Sequence, residues 1–321
     1  MNKTLSICIP TYNRIKYLKE LLNSILPYTE SMGINVCVSD NCSPDGTGDF
    51  LKEIAMKHHF LSFQIQTENI GLEKNMISVI SMAKTDYYLH IGDDEVICPS
   101  FFSLIDKKLD GDLDLLILDG WYVNSTLEVK ISRHLPTFLH NKRYNDPYEA
   151  FLHIWDKMPL GSFVVKTDCN MCNMTKYLGT SHIYTSIVWE YLSNQFIKNK
   201  KVDIECLSEP VILFRQIKKT WCLDTAKIML YEIPKWFLTL PQEYKNVTKN
   251  TLDVYLSNQA KYRSLLYYRS LGQLNKDFIK TYMITFKKSH KSRAYIMILI
   301  PPYFAKILVD IKNFLVKMLK K

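Results

Sequence analysis

The strongest constraint on this chain is a repeated change of hydrophobic period over its first 120 residues. Short apolar runs rich in β-branched and aromatic residues stand at 5–10, 35–39, 63–67 and 87–91, and each of the first three is followed by a stretch of helical spacing. The first stretch, 16–26, sets Leu18, Leu21, Leu22 and Ile25 on one face, with Pro27 expected to stop it. The second, 49–58, carries Phe50, Leu51, Ile54 and Ala55, and the third, 73–84, carries Met76, Ile77, Val79, Ile80 and Ala83. Strands alternating with helices of this length pair in parallel through right-handed crossovers. The expected fold class is therefore α/β, a mostly parallel sheet covered by helices on both faces.

In such a sheet ligands bind beyond the carboxyl ends of the strands, so the residues just after each strand carry the functional information. They are Thr11-Tyr12-Asn13-Arg14, Asp40 through Thr47, Glu68-Asn69-Ile70-Gly71, and Gly92-Asp93-Asp94-Glu95. The first turn has neither the G-x-G-x-x-G of a dinucleotide site nor the G-x-x-x-x-G-K-[ST] of a phosphate loop, which argues against a dehydrogenase or a P-loop ATPase. Instead three carboxylates, Asp40, Asp93 and Asp94, converge on one edge, with Asp45 nearby. Carboxylates there suit two jobs: accepting hydrogen bonds from a base or ribose, and holding a hard divalent cation against a diphosphate.

The segments Ser6–Arg14, Val36–Thr47, Asn69-Ile70-Gly71 with Asn75, and Gly92-Asp93-Asp94 resemble, in order and spacing over residues 4 to about 120, the family 2 inverting glycosyltransferases. These have the GT-A fold, a Rossmann-like nucleotide-diphospho-sugar transferase sheet, and the likeness is to the bacterial branch that builds O-antigen, capsule and other surface polysaccharides. The resemblance implies that Pro10, Thr11, Tyr12, Arg14, Asp40, Asn69, Gly71, Asn75 and Asp93 line the nucleotide pocket, with Asp40 on the base. It implies further that Asp93 and Asp94 form a D-x-D-like element for Mn2+ or Mg2+, Asp94 being the metal contact. Many relatives carry an Asp where this chain has Ile91, which passes the ribose contact to Asp93 and weakens the metal motif.

Inverting transfer needs a base to deprotonate the acceptor hydroxyl. Family relatives supply an Asp or Glu at a helix start in the second half, but the stretch 177–190 has no acidic pair at its beginning. His182 follows a glycine, with Ser181 as an N-cap, and is the first candidate. Glu190, about two helical turns on, is the second, and Asp168 the third. Residues 113–119 and 161–165 read as strands and 148–155 as a helix. The aromatics of 228–271, among them Trp236, Phe237, Tyr255, Tyr262, Tyr267 and Tyr268, read as a helical core rather than a sugar platform.

Nearly all of the net charge of +9 lies in the tail, where nine Lys or Arg from Lys287 onward face only Asp310. The near-neutral remainder argues against nucleic acid as a partner. The uncharged run 294–305 is too short to span a bilayer and is broken by Pro301-Pro302. Beyond it Phe304, Ile307, Leu308, Ile311, Phe314, Leu315 and Met318 recur at helical spacing among Lys306, Lys312, Lys317 and Lys320, the pattern of a helix lying in a membrane interface. Packing of this helix on the protein, or pairing of two copies into a homo-oligomer, is the alternative. The eight cysteines are scattered, the lone pair Cys169-x-x-Cys172 has no second metal-binding pair, and the chain opens directly on a strand. Reduced thiols in a cytoplasmic protein are the expectation.

The expected organisation is a catalytic domain over 1–225 (donor side 1–120, acceptor side 121–225), a helical subdomain over 226–286 and a basic amphipathic tail over 287–321. The expected partners are a nucleotide sugar, a saccharide on polyprenyl diphosphate and the anionic inner face of the cytoplasmic membrane. A nucleotidyltransferase would need a basic Gly-rich loop after the first strand. A non-catalytic polysaccharide- or membrane-binding module would not need Asp40, Asp93 and Asp94 together.

Overall fold

The computed structural model describes residues 3–217 and 224–318. Cys222, Lys320 and Lys321 lie outside them. The chain divides into two compact units: residues 1–178 with 183–217, and residues 179–182 with 218–321. Residues 226–286 and the segment from 287 onward both fall in the second unit.

The first unit is built on one ten-stranded sheet. Strands β1 (Leu5–Thr11), β2 (Asn35–Asp40), β3 (Leu61–Ile65) and β4 (Tyr87–His90) pair in parallel in the order β3-β2-β1-β4. The sheet continues through β9 (Phe163–Lys166), antiparallel to β4, then β6 (Leu115–Val123) and β10 (Ile204–Arg215), parallel to each other. β5 (Val96–Ile97) closes the edge against β10, while β7 (Lys130–Arg133) and β8 (Arg143–Tyr144) pair with β6 and β10.

Helices α1 (Ile15–Met32), α2 (Thr47–Ala55) and α4 (Pro99–Leu109) cover one face. There Leu5, Ile7 and Ile9 pack with Leu18, Leu21, Leu22 and Ile25 of α1, Leu51 of α2 and Phe101, Phe102 and Ile105 of α4. Alternation along the strands sends Ser6, Cys8 and Tyr88 to the other face, covered by α3 (Leu72–Ser81) and α6 (Ile183–Asn199). α5 (Pro147–Ile154) packs on α6 and starts on Asp146, whose side chain accepts from the backbone N–H groups of Tyr148 and Glu149.

Pro27 does not stop α1, which runs on to Met32 and closes on the left-handed Gly33 (φ 64°). Pro27 is exposed, so the carbonyl it frees faces water. The apolar face meanwhile continues, Tyr28 stacking on Phe102 with ring centroids 4.0 Å apart. β3 begins two residues before its expected start. The seven cysteines within the described residues are unbridged, and Cys169, buried in a 3-10 turn, lies with its Sγ 3.0 Å from the Tyr88 hydroxyl.

The second unit is helical: α7 (Thr225–Lys227), a π turn at Ile228–Glu232, α8 (Ile233–Thr239), α9 (Lys245–Gln259), α10 (Tyr262–Ser270), α11 (Lys276–Tyr282), α12 (Lys288–Met297) and α13 (Pro302–Met318). Trp236, Phe237, Tyr255 and Tyr268 are buried there, while Tyr262 and Tyr267 are exposed. α13 packs on α10, burying Ala305 but leaving Phe304, Leu308, Ile311, Phe314 and Leu315 exposed. Among the described residues no single helix is long and apolar enough to cross a membrane; α12 with 302–315 passes only as a pair, bent by 96°.

Candidate active site

The parallel register sets Thr11 opposite Asp40, and the turn after β4 brings Asp93 to the same edge. The Thr11 hydroxyl donates to Asp93 Oδ2 at 2.8 Å. Across the first turn, Asn13 is left-handed (φ 54°) and its N–H donates to Ser43 Oγ at 2.7 Å. Asp45 ties two helix starts, accepting from Ile15 N at 2.9 Å and from the Thr47 hydroxyl at 2.6 Å. Asp40 is buried, accepts from the backbone and side chain of Ser43, and has its pKa raised above the usual carboxylate value chiefly by burial.

The third loop docks through amides. Asn41 donates to Asn69 Oδ1 at 2.9 Å and accepts from Ile70 N at 2.9 Å, while Gly71 N also donates to Asn69 Oδ1, at 3.0 Å. Gly71 has φ 84°, a conformation that favours glycine. Asn75 is buried, accepts from the Ser39 hydroxyl and donates to the Ser39 and Thr11 carbonyls. Its amide therefore braces the β1 and β2 ends from behind, and the Asn69 amide oxygen is likewise spent inside the protein. Tyr12 is exposed at the rim, and Pro10 is buried in β1 opposite Ser39.

The turn after β4 holds the charge. Arg14 Nη1 lies 3.2 Å from Asp93 Oδ1 and 3.5 Å from Asp94 Oδ2, bridging two carboxylates that are both nearly fully buried. Burial pushes the Asp93 carboxyl up to about 6, opposed by Arg14, raised further by Asp94 and lowered by Thr11. One guanidinium facing two carboxylates leaves the cluster with a net negative charge when both are ionised.

Sequence reasoning missed what holds this turn. Arg215, the last residue of β10 and buried, donates its backbone N–H to Glu95 Oε2 at 2.7 Å and its Nε to the Asp94 carbonyl at 2.9 Å. Its other nitrogens reach the Ser125 carbonyl and the Glu20 carboxylate, with Tyr17 stacked at 5.0 Å. Just before the turn stands His90, fully buried and edge-on to Tyr184. Neither ring nitrogen has a hydrogen-bond partner among the described residues, and burial lowers its pKa to about 3.

Two of the candidate bases, Glu190 and Asp168, lie away from this edge. α6 starts beside His90 through Tyr184, but Tyr191 donates its hydroxyl to Asp114, just ahead of β6, at the opposite edge of the sheet. Glu190, its neighbour, is engaged there by the Tyr177 hydroxyl and by Lys176 at 3.1 Å, about 9 Å of helix below Tyr184. Asp168 lines a cavity of about 650 Å³ with Lys3, Thr4 and Asp86, again at the edge where β1 and β4 begin. Glu190 and Asp168 thus stand at the edge where the strands begin, away from the Asp93–Asp94 turn. His182 belongs to the second unit, where its ring packs 5.0 Å from Trp236 and burial lowers its pKa to about 4. Ser181 has φ 56° and its hydroxyl donates a hydrogen bond to the Glu232 carboxylate.

Residues 6–165, which contain all four strand-end motifs, match the model of glycosyl transferase family 2. This segment is a family 2 glycosyltransferase domain. Over 117 residues the chain is 33% identical to abequosyltransferase RfbV of Salmonella typhimurium, covering 36% of this chain and 35% of that protein. It is 26% identical over 141 residues to the processive diacylglycerol beta-glycosyltransferase of Mycoplasma pneumoniae, covering 42% and 41%. The matched part therefore spans well under half of these curated relatives. In fold the chain is similar to a crystal structure of Staphylococcus aureus TarS 1–349 in complex with UDP-GlcNAc, with a TM-score of 0.58 and 18% identity over 87% of this chain and 81% of that one. The α/β, GT-A-like fold expected from the sequence is thereby established.

Proposed function

We propose that this protein is an inverting glycosyltransferase that moves a hexose or N-acetylhexosamine from a nucleotide sugar, UDP-linked in the first instance, to a saccharide carried on polyprenyl diphosphate, in the synthesis of a bacterial surface polysaccharide. The observation that carries this reading is the buried Asp93–Asp94 pair facing Arg14 at the strand-end edge of a family 2 domain. UDP-GlcNAc in the TarS complex supports a uridine nucleotide, and the abequosyltransferase likeness adds a second sugar class to be tested.

The donor set fits a divalent cation. Asp93 and Asp94 are hard, buried oxygen donors, and among the described residues no group of three or more His, Cys, Asp or Glu forms a protein-only cage. Two carboxylates with the remaining ligands from diphosphate and water is how Mg2+ or Mn2+ is usually held. Such an ion supplies charge stabilisation to a departing diphosphate. The protein's own residues do the rest in this reading: Asp40 accepts from the base, Thr11 orients Asp93, and Arg14 offers positive charge beside the phosphates. His182, neutral at physiological pH, is proposed to take the acceptor proton; an imidazole held near 4 is about as basic as the carboxylate that relatives use. The exposed apolar face of α13, interleaved with lysines, is proposed to rest on the anionic inner face of the cytoplasmic membrane, where a lipid-linked acceptor lies.

The test is a panel of UDP-, GDP-, CDP- and dTDP-sugars incubated with the full chain and Mn2+, scored by nucleotide release with and without a polyprenyl-linked acceptor. One donor should be turned over, and Asp94→Ala should abolish release while the fold persists. A folded protein that neither releases nor binds any of these nucleotides overturns the proposal.

A further inference from the structure

Arg14 is held lightly for a guanidinium beside two buried carboxylates. Among the described residues its side chain makes one hydrogen bond, from Nη1 to Asp93 Oδ1 at 3.2 Å, and one longer contact, 3.5 Å to Asp94 Oδ2. A tightly committed arginine makes paired, shorter bonds to a carboxylate. Its backbone is anchored instead: Arg14 precedes the first turn of α1, and its carbonyl accepts from Leu18 N at 3.1 Å. The side chain alone is free to exchange partners. The two oxygens it touches belong to the two residues that would hold the cation, so guanidinium and cation compete for the same negative charge.

We infer that Arg14 is an exchangeable counter-ion of the Asp93–Asp94 pair, released by a nucleoside diphosphate so that cation and nucleotide bind as a coupled pair. Without nucleotide, a cation must displace the guanidinium and leave it without a partner. With a diphosphate present, the guanidinium gains phosphate oxygens at the positive end of α1, and the carboxylates become available. The coupling is reciprocal by linkage: whatever factor nucleotide adds to cation affinity, cation adds to nucleotide affinity. This inference rests on the site reading proposed above.

The experiment measures Mn2+ binding to the full chain by electron paramagnetic resonance and calorimetry, with and without saturating UDP. Wild type should bind Mn2+ at least about tenfold more tightly with UDP than without. Arg14→Gln should tighten Mn2+ binding to the nucleotide-free protein by about tenfold and shrink the UDP effect by the same factor. Arg14→Lys, which keeps a positive charge, should stay near wild type, and Asp94→Ala should bind Mn2+ weakly in both conditions. Arg14→Gln with unchanged or weaker nucleotide-free Mn2+ affinity overturns the counter-ion role while leaving the site reading intact. Wild type that binds no Mn2+ even with UDP overturns both.

Discussion

Lowering the pH from 7 to 5 should destabilise the first unit by about 2 kcal/mol through His90 alone. The ring is fully buried without a hydrogen-bond partner among the described residues, and its pKa is lowered to about 3. In the unfolded chain it titrates near 6.5. The native state therefore stays neutral at pH 5 while the unfolded state takes a proton, so this contribution is fully present above about 6.5 and is lost as the pH falls towards 3. At pH 5 the unfolded state gains RT ln(1 + 10^1.5), roughly 2 kcal/mol. His90→Phe removes the term. Whatever packing change the larger ring brings is the same at both pH values, so the variant should lose about 2 kcal/mol less than wild type between pH 7 and 5. The difference isolates His90 from His134, also lowered by burial, to about 4, and from Asp93, whose raised value acts in the opposite direction. Hydrogen exchange of peptides covering β1 and β4 reads the opening free energy of this unit directly. Equal losses in variant and wild type would refute a neutral, unpartnered His90.

Arg215→Met should destabilise the first unit by about 1 to 3 kcal/mol, because the buried Asp94 carbonyl loses its donor while Glu20 and Ser125 turn to water. A melting temperature unchanged from wild type would remove Arg215 as the clamp of the acidic turn. His182→Ala should lower turnover by roughly 100-fold with donor affinity little changed, measured by steady-state kinetics with acceptor and by calorimetry with UDP. Unaltered turnover would dismiss His182 as the base. Ile311→Asp with Phe314→Asp changes two exposed side chains of α13, so melting should stay put while sedimentation with anionic vesicles is lost. Undiminished sedimentation would show that this face is not the membrane contact.

The acidic edge of the sheet was legible because each buried strand ends in a polar run. That rule placed Thr11, Arg14, Asp40, Asp93 and Asp94 at one edge without any long-range information. The same rule applied to the apolar run before Arg215 picks out the residue that fixes the acidic turn, but its partners lie some 120 and 195 positions away, beyond any local pattern. Pro27 misled because local propensity yields where an apolar face continues past the proline and the freed carbonyl meets solvent. The position of Glu190 was not legible for another reason: period gives the face of a helix but not its direction across a sheet. Only the Tyr184 and Tyr191 contacts reveal which end of α6 approaches the site.

The placement of β9 has a consequence for how the chain is made. β4 is complete once residue 90 has emerged, yet the strand that covers its outer edge comes from 163–166, and β9 in turn joins β6 to the sheet. At ordinary rates of synthesis, about 70 further residues take several seconds. Throughout that interval the nascent four-stranded half presents an open edge of Tyr87, Tyr88 and Leu89, a template for pairing with another chain. A fragment ending near residue 120 keeps that edge for life. It should therefore collect in inclusion bodies unless a segment carrying 163–166 is supplied, and ribosome stalling between 91 and 162 should recruit chaperones to the growing chain.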